Sequence, residues 1–265
     1  FCRSRIGIFA IRLGDLFLPL LLPPFLNNIF RKVGLEIDGI VPITLAERNL
    51  ILDKNELHDN IMLLDIGAGN TDIGVFEGTT FLYTNSIPLG GDNITNDIAL
   101  VLNISEEEAD KLKRQYGLAL KSFIDNDNDI ILNTCKDNNK NKIIKSSELI
   151  EIIEARIEEM FSIINKDITN QGLKQKINNV VLTGQGIVNI NKSDVAGKIN
   201  LNIPVKISTG RAISTVKPIY RTSYALVRYI AARPFAKTVS SSIDTQNNES
   251  FMKNIWERIK EFFYY

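Results

Sequence analysis

Cysteine and histidine are scarce in this chain, which has two cysteines and one histidine among 265 residues. Cys2 and Cys135 lie far apart without the spacing of metal ligands, and His58 has no companion nearby. The sequence therefore predicts neither a disulfide framework nor a structural metal centre. This composition is typical of proteins that work in a reducing cytoplasm.

An excess of charge of one sign is missing, and so is a long apolar run. Lysine plus arginine and aspartate plus glutamate each total 31, so the formal net charge is zero and we expect no nucleic-acid partner. Near the N-terminus the longest uncharged stretch, Leu16 to Leu26, is shorter than the ~20 apolar residues that span a bilayer. Two interpretations of residues 1–26 stay open: a buried strand and loop, or a truncated or out-of-frame chain start.

The rest of the sequence alternates between apolar runs and helical spacing, and its 44% of hydrophobic residues can bury a core. Strands are predicted at Leu35–Val41, Ile61–Ile66, Thr71–Phe76, Thr79–Ile87, from Asn179, and at Pro204–Ile207. Helices are predicted after Gly90, from Ser105 to Gly117, from Ser147, and at Tyr220–Ala231. Ser105 and Glu108 fit a capping box, and Ser147 is expected to cap the third of these helices. Between Ile124 and Ser146 we expect an exposed excursion with a hairpin. This alternation predicts an α/β fold.

The stretch IMLLDIGAGNTDIGVF, residues 61–76, places a carboxylate and two glycines between two apolar strands. Asp65 stands where the first strand stops, in a position to hold a hydrated Mg²⁺ at a phosphate. Gly67 and Gly69 lack side chains, so backbone N–H groups could approach phosphate oxygens. Short polar side chains follow at Asn70, Thr71 and Asp72. The alternative is an ordinary hairpin with an exposed aspartate.

Two further glycine sites strengthen the phosphate interpretation. In NVVLTGQG, residues 179–186, an apolar strand again stops at glycines, as is needed where a nucleotide lies against bare backbone. Gly90 and Gly91 open a helix, and helix N-termini attract phosphate. Three such features in one α/β chain predict a nucleotide site.

These residues also carry a resemblance. DIGAGNTDIGVF resembles the second phosphate motif of the actin and sugar-kinase superfamily, and NVVLTGQG resembles its adenosine motif. GLEIDGIV, IPLGGDNITNDIA, EEADKLKRQYG and IIEARIEEMF, in that order, resemble the FtsA family of bacterial cell-division proteins. The resemblance implies an actin-like ATPase fold, a ribonuclease H-like sheet with flanking helices. It begins near Asn27, and nothing before that residue resembles the first phosphate loop, so the fold is expected to be incomplete at the N-terminus.

The resemblance also implies roles for individual residues, with ATP and Mg²⁺ as ligands. Asp65 would hold Mg²⁺ through water. The β- and γ-phosphates would contact Gly67, Gly69, Asn70 and Thr71, and phosphate would also contact Gly90 and Gly91. The ribose and adenine would contact Asp110 and Lys113, and the adenosine would contact Gly184 and Gly186. Asp110 stands where the family usually has glutamate, and Gln185 where it usually has glycine. The alternative for Asp110 and Lys113 is an ordinary solvated helix face.

One departure bears on ATP hydrolysis. The family's acidic residue that would orient the attacking water aligns with Ile43, and Glu47 is shifted from it by about one helical turn. Because phosphoryl transfer depends on positioned groups, we expect ATP binding with weak or absent ATPase activity.

The last fifteen residues have helical amphipathic spacing. At ~100° per residue the apolar side chains fall within an arc of about 140°. They are Phe251, Met252, Ile255, Trp256, Ile259, Phe262 and Phe263. A polar linker, residues 237–250, separates this helix from the nucleotide-binding part, residues 27–236. The pattern predicts a helix that lies in a membrane interface, and the alternative is a terminal helix docked on the core. In this respect the sequence resembles the FtsA family, whose members end in an amphipathic membrane anchor.

The resemblance implies a function rather than a single reaction. A member of the FtsA family would associate with itself into filaments and tether filaments of the tubulin-like protein FtsZ to the cytoplasmic face of the cell membrane, at the division septum. It would be a peripheral membrane protein that recruits other division proteins. Two alternatives stay open: a small-molecule kinase or ATPase of the same superfamily, and a non-functional fragment with an uncovered apolar sheet face.

Overall fold

The computed structural model describes residues 5–6, 9–11, 28–32, 36–37, 40–52, 56–132, 142–208 and 220–232. The predicted linker, residues 237–250, and the predicted amphipathic helix, residues 251–265, lie outside these ranges. Within them, no helix combines the length and the apolar character needed to cross a bilayer.

Strands and helices alternate along the described chain. The strands are β1 (Arg5–Ile6), β2 (Phe9–Ile11), β3 (Glu36–Ile37), β4 (Ile40–Pro42), β5 (Ile61–Ile66), β6 (Thr71–Glu77), β7 (Thr80–Ile87), β8 (Asp129–Leu132), β9 (Lys142–Lys145), β10 (Asn179–Thr183) and β11 (Val205–Ile207). The helices are α1 (Ile43–Ile51), α2 (Gly91–Leu102), α3 (Glu106–Tyr116), α4 (Ser146–Asn170), α5 (Ser193–Leu201) and α6 (Arg221–Ala231). Residues 28–32 are also helical.

Five strands form the central sheet, in the order β11-β10-β5-β6-β7. β5, β10 and β11 are parallel, whereas β6 and β7 continue from β5 as an antiparallel meander. A parallel neighbour requires a crossover, and α5 supplies it between β10 and β11. The carboxyl ends of β5 and β10 therefore meet at the same end of the sheet, which is where open α/β sheets bind ligands.

The strands predicted from the apolar runs are confirmed in this sheet. β5 has the predicted bounds, and all six of its residues are buried. A continuous buried run is expected of a strand that is covered on both faces. The predicted hairpin is confirmed as the pair β8 and β9.

One face of the sheet is covered by α2, α4 and α5. Side chains alternate along a strand, so Met62 and Leu64 of β5 both point to this face. There they join Ile98 of α2 and Phe161 of α4 in the larger apolar cluster of the molecule.

The opposite face is covered by α1, against which α6 packs. Ile61 and Leu63 of β5 lie here with Phe76 and Val181, and each is no more than 1% exposed. An uncovered apolar sheet face was expected of a fragment. That expectation is wrong for the described residues, because α1 covers the face.

The predicted strand Leu35–Val41 is two shorter strands. β3 pairs in parallel with β1, and β4 pairs in parallel with β2. The two strands therefore have different partners. Both partners come from the first eleven residues.

Helices α3 and α4 are capped in different ways. α3 follows Ser105, whose side chain accepts a hydrogen bond from the Glu108 N–H at 3.2 Å, as the sequence predicts. The prediction that Ser147 caps α4 is wrong, because the helix begins at Ser146 and the cap comes from elsewhere. The Asp127 carboxylate accepts a hydrogen bond from the Ser147 N–H at 2.9 Å. This cap lies 20 residues away in sequence, so helical periodicity does not reveal it.

Candidate functional site

Three backbone segments meet at the carboxyl ends of β5 and β10. They are the turn between β5 and β6, the segment before α2, and the turn after β10. The Gly91 N–H donates to the Gly67 carbonyl at 3.0 Å, and the Gly186 N–H donates to the Ile66 carbonyl at 2.9 Å. Backbone hydrogen bonds thus join segments from three separate glycine-containing motifs.

Glycine is required at Gly184 and Gly186 in the turn after β10, for different reasons. A Cβ on Gly186 would lie 2.1 Å from the Gly67 carbonyl oxygen, and Gly184 has a φ of 98°, which favours glycine. Gly69 differs, because a Cβ there would have no described atom within 4 Å. The turn therefore has a closely packed base and an open, exposed tip at Ala68 and Gly69.

The N-terminus of α2 is held beside this turn. The Thr71 hydroxyl donates to the Leu89 carbonyl at 2.7 Å, and the Asn93 side chain accepts from the Gly90 N–H at 2.8 Å. The helix begins at Gly91, so its partial positive charge lies at the same end of the sheet as the two turns.

Lys113 links α3 to the start of α2. The residue is 9% exposed, and its ammonium group donates to the Gly91 carbonyl at 2.9 Å and to the Thr95 hydroxyl at 2.6 Å. Asp110 lies 3.1 Å from it and also pairs with Arg114. The alternative of an ordinary solvated face is therefore wrong for Lys113, because it lies behind the N-terminus of α2.

Asp65 lies on the other face of the sheet, towards α1 and α6. Along β5 it shares a face with Ile61 and Leu63, since side chains alternate. Its strand neighbours in register are Asp72 of β6 and Thr183 of β10. Asp65 is 1% exposed and is therefore buried. The ordinary-hairpin alternative required an exposed aspartate and is wrong on this point.

Arg221 at the start of α6 is the cation that neutralises this carboxylate. Its Nη2 donates to Asp65 Oδ1 at 2.6 Å, and its Nη1 donates to Thr183 Oγ1 at 3.0 Å. Its Nε lies 3.4 Å from Oε1 of Glu47 on α1. Burial lowers the pKa of Arg221, but the two carboxylates outweigh it and raise that pKa above its ordinary value.

Glu47 is the second carboxylate of the cluster. It has no exposed surface, and its Oε1 also accepts from the Thr222 hydroxyl at 3.1 Å. Burial, followed by the nearby Asp65 carboxylate, raises the pKa of Glu47 from 4.5 to about 7, although Arg221 opposes the shift. Two carboxylates and one guanidinium therefore share a site from which water is largely excluded.

Sequence reasoning located Glu47 one turn away from the expected position and missed Arg221. Ile43 and Glu47 are four residues apart on α1, and such residues share a helix face. A shift of one turn therefore moves the acid along the helix without turning it away from Asp65. The only sequence signal for Arg221 is an arginine at the start of a predicted helix. Its partners are not local, since Asp65 is 156 residues away.

The buried oxygens of Asp65 and Glu47 are the atoms that could face a Mg²⁺ ion. Among the described residues, Asp65 Oδ2 and Glu47 Oε2 are buried without a hydrogen-bond partner. Those residues contain no group of three or more metal-ligating side chains. Mg²⁺ at a nucleotide needs only one or two carboxylates, because phosphates and water complete its shell. The chemistry of Asp65 and Glu47 therefore fits a hydrated Mg²⁺.

Most of the predicted nucleotide residues lie together in the fold. The turns at this end of the sheet, with the residues adjoining them, contain Asp65, Gly67, Gly69, Asn70, Thr71, Gly90, Gly91, Gly184 and Gly186. Lys113 adjoins them through Gly91, and Asp110 lies next to Lys113 at the periphery. Their contacts with a nucleotide stay a prediction. The seven predicted membrane residues, Phe251 to Phe263, lie outside the described residues.

Comparisons with known proteins agree on one family. The family model for the cell division protein FtsA matches residues 62–228. The FtsA of Bacillus subtilis is 32% identical over 207 residues, which are 77% of this chain and 47% of that relative. The FtsA of Buchnera aphidicola is 32% identical over 86% of this chain and 57% of its own length. The chain thus spans about half the length of the curated relatives it matches.

Solved structures show the same fold at lower identity. MreB5 of Spiroplasma citri bound to ADP aligns with a TM-score of 0.66 and 18% identity, over 90% of this chain and 71% of its own. A MamK double helical filament aligns with a TM-score of 0.60 and 15% identity, over 86% and 69% of the two chains. The predicted actin-like α/β fold is confirmed by these neighbours.

Proposed function

The chain belongs to the FtsA family of cell-division proteins, and from this premise we propose that it is an ATP-binding scaffold of the division machinery. It tethers FtsZ filaments to the cytoplasmic face of the cell membrane at the septum, associates with itself and recruits other division proteins. ATP acts as an assembly switch rather than as the fuel of a metabolic reaction.

The observation that carries the nucleotide part is the convergence of two turns and a helix N-terminus beside a buried carboxylate. The exposed tip at Gly69 suits the phosphates. The Gly90 and Gly91 N–H groups are bonded within the chain, so α2 contributes its dipole. The assigned contacts are Gly67, Gly69, Asn70, Thr71, Gly90 and Gly91 for phosphate, with Asp110, Lys113, Gly184 and Gly186 for the nucleoside. A structural neighbour, MreB5, was crystallised with ADP and with AMPPNP, which supports this assignment.

Asp65 would hold Mg²⁺ through water, with Glu47 beside it. When bound, the ion would neutralise phosphate charge. The chain's own part is to keep the two carboxylates buried and oriented. Arg221 donates to Asp65 and Thr222 donates to Glu47, while Thr183 accepts from Arg221 and so holds the guanidinium in place.

ATP binding is tested by adding a negative charge where phosphate would lie. Glutamate fits at Gly69 without disturbing the turn, because a Cβ there meets no described atom within 4 Å. We expect Gly69→Glu to lower ATP affinity by at least ~10-fold, measured by calorimetry with and without Mg²⁺. The control is Thr79→Glu, since Thr79 is exposed in the turn at the opposite end of β6. Equal affinity in the two variants and the unaltered chain would contradict the phosphate assignment.

The tether is proposed for the apolar stripe of residues 251–265. A helix with this stripe lies flat in a bilayer interface, with Trp256 in the apolar half. We expect Trp256→Glu to abolish co-sedimentation with anionic lipid vesicles. Asn254→Glu adds the same charge on the polar face and should leave co-sedimentation intact. Loss in both variants, or in neither, would remove the stripe from the proposal.

FtsZ binding and self-association complete the proposal. FtsZ filaments should co-sediment with vesicles only when this chain is present, and Trp256→Glu should release them. The MamK neighbour was solved as a double helical filament, which supports self-association by this fold. FtsZ that stays in the supernatant with the unaltered chain would contradict the partner assignment.

A small-molecule kinase or ATPase is the competing function, and the position of Glu47 favours it. A buried carboxylate with one oxygen lacking a partner among the described residues could position a water or a substrate hydroxyl. Steady ATP turnover that disappears in Glu47→Gln would favour the enzyme. Binding without turnover favours the scaffold.

A further inference from the structure

Arg221 forms an ion pair with Asp65, the carboxylate that the proposed nucleotide site assigns to the metal. Its Nη2 lies 2.6 Å from Asp65 Oδ1, and its side chain is only 10% exposed. All three of its nitrogens face members of the cluster, namely Asp65, Thr183 and Glu47. The guanidinium is therefore built into the site rather than resting at its rim.

A second cation at Asp65 would repel this guanidinium. Like charges repel strongly where water is largely excluded, and a divalent ion doubles that repulsion. Arginine cannot remove the repulsion by losing its proton, because its charge persists at all physiological pH values. A metal ion at Asp65 Oδ2 and the guanidinium at Oδ1 therefore disfavour each other, and withdrawal of Arg221 relieves the repulsion.

Movement of Arg221 is movement of the start of α6. Arg221 is the first residue of that helix, and Thr222 also contacts Glu47. The helix rests on α1 through Ala225, which is 1% exposed. Its outer surface contains the exposed side chains of Tyr224 and Val227. A change at the carboxylates is therefore transmitted to a surface helix.

We propose that Arg221 is a resident counter-cation of Asp65 and Glu47 that sets the divalent-metal dependence of the site. Because Asp65 is assigned to the metal there, the inference rests on the proposed nucleotide site. A divalent ion binds more tightly when Arg221 withdraws, and α6 moves with Arg221. By reciprocity, whatever draws α6 away raises metal affinity by the same factor.

The test uses Mn²⁺ alone, without nucleotide, so that it is separate from ATP binding. We expect Arg221→Met, which removes the charge and keeps an apolar side chain of similar length, to raise Mn²⁺ affinity by ~10-fold or more, measured by electron paramagnetic resonance. The control is Arg228→Met on the same helix, where the arginine is exposed beside Tyr224. The control should leave Mn²⁺ affinity unchanged. Equal Mn²⁺ affinity in all three proteins would overturn the inference.

A second variant guards against loss of folding. Glu47→Gln combined with Arg221→Met removes one charge of each sign and keeps Asp65, so the cluster is no longer overloaded with negative charge. It should also bind Mn²⁺ more tightly than the unaltered chain. In the unaltered chain, saturating Mn²⁺ should speed amide hydrogen exchange at the start of α6. Unchanged exchange would contradict a withdrawal of Arg221.

The two proposals fail in different ways. If Gly69→Glu does not alter ATP binding, the phosphate assignment fails while the Mn²⁺ titration still decides the role of Arg221. If ATP binds as proposed but Mn²⁺ affinity is indifferent to Arg221, only the counter-cation inference is lost.

Discussion

The two faces of the central sheet are built from the same strands but filled in different ways. Towards α2, α4 and α5, the sheet contacts the larger apolar cluster, which includes Met62, Leu64 and Phe161. Towards α1 and α6, the apolar packing stops near the carboxyl ends of the strands, where Asp65 and Glu47 are buried instead. One strand, β5, contributes to both faces, because its side chains alternate.

The difference separates stability from chemistry. Apolar burial stabilises in proportion to area and needs no particular geometry. A buried ion cluster contributes little net stability, because desolvation offsets the attraction between the charges. The ionic end of the second face is therefore better explained by what the carboxylates can bind than by what they hold together. The predictions below test that division.

The largest effect is expected on the apolar face. Phe161 is fully buried on α4 and lies against Gly197 of α5. Phe161→Ala should lower the free energy of unfolding by roughly 3–5 kcal/mol, measured by urea denaturation, because it leaves a cavity. Glu158→Ala, at an exposed position on the same helix, should change it by less than about 0.5 kcal/mol. ATP affinity of the folded protein should stay the same in both. A loss of affinity in Phe161→Ala would break the division between the faces.

A loss of similar size but different character is expected on the ionic face. Arg221→Met leaves two buried carboxylates without a cation, which should cost roughly 3–5 kcal/mol of unfolding free energy. Adding Glu47→Gln should restore most of it, since one excess charge is then gone. A double-mutant cycle by urea denaturation measures this coupling. If the two substitutions add without coupling, the cluster is not a single electrostatic unit.

A smaller, pH-dependent effect is expected from Glu47. Its pKa is raised from 4.5 to about 7 in the folded chain, so the folded state binds more protons than the unfolded state between those values. The stability contribution is therefore complete below pH 4.5 and is lost as the pH rises towards 7, by at most about 3 kcal/mol. Urea denaturation at several pH values should show this slope in the unaltered chain and not in Glu47→Gln, so the difference between the two stability curves isolates it. A slope of the opposite sign would mean that the folded chain prefers ionised Glu47.

The sheet was predictable from sequence because its signals are local. Six consecutive buried positions in β5 and the glycines beyond them specify a strand and a turn without knowledge of any partner. Likewise, Ser105 and Glu108 identify the start of α3 within four residues. The glycine turns could also be placed at one end of the sheet, since the ends of parallel strands coincide.

The ionic cluster could not be predicted in the same way. Glu47, Asp65 and Arg221 come from three elements far apart in sequence, and only the packing of α6 on α1 brings them together. Alternation in β5 does indicate that Asp65 faces the same side as Leu63. It does not indicate which helix covers that side. Long-range contacts of this kind follow from the fold, not from periodicity.

The smallest effect is expected where the cap of α4 is supplied from a distance. Asp127 accepts hydrogen bonds from the Ser147 N–H at 2.9 Å and from both serine hydroxyls, so it satisfies the helix start that Ser147 was expected to cap. Asp127→Ala should lower the unfolding free energy by about 1 kcal/mol, as loss of a helix cap does. Asp125→Ala removes an exposed carboxylate two residues away and should have almost no effect. Because α4 covers the apolar face, the loss should appear in urea denaturation and not in Mn²⁺ or ATP affinity. A change in either affinity would show that the two faces are coupled through α4, against the division argued above.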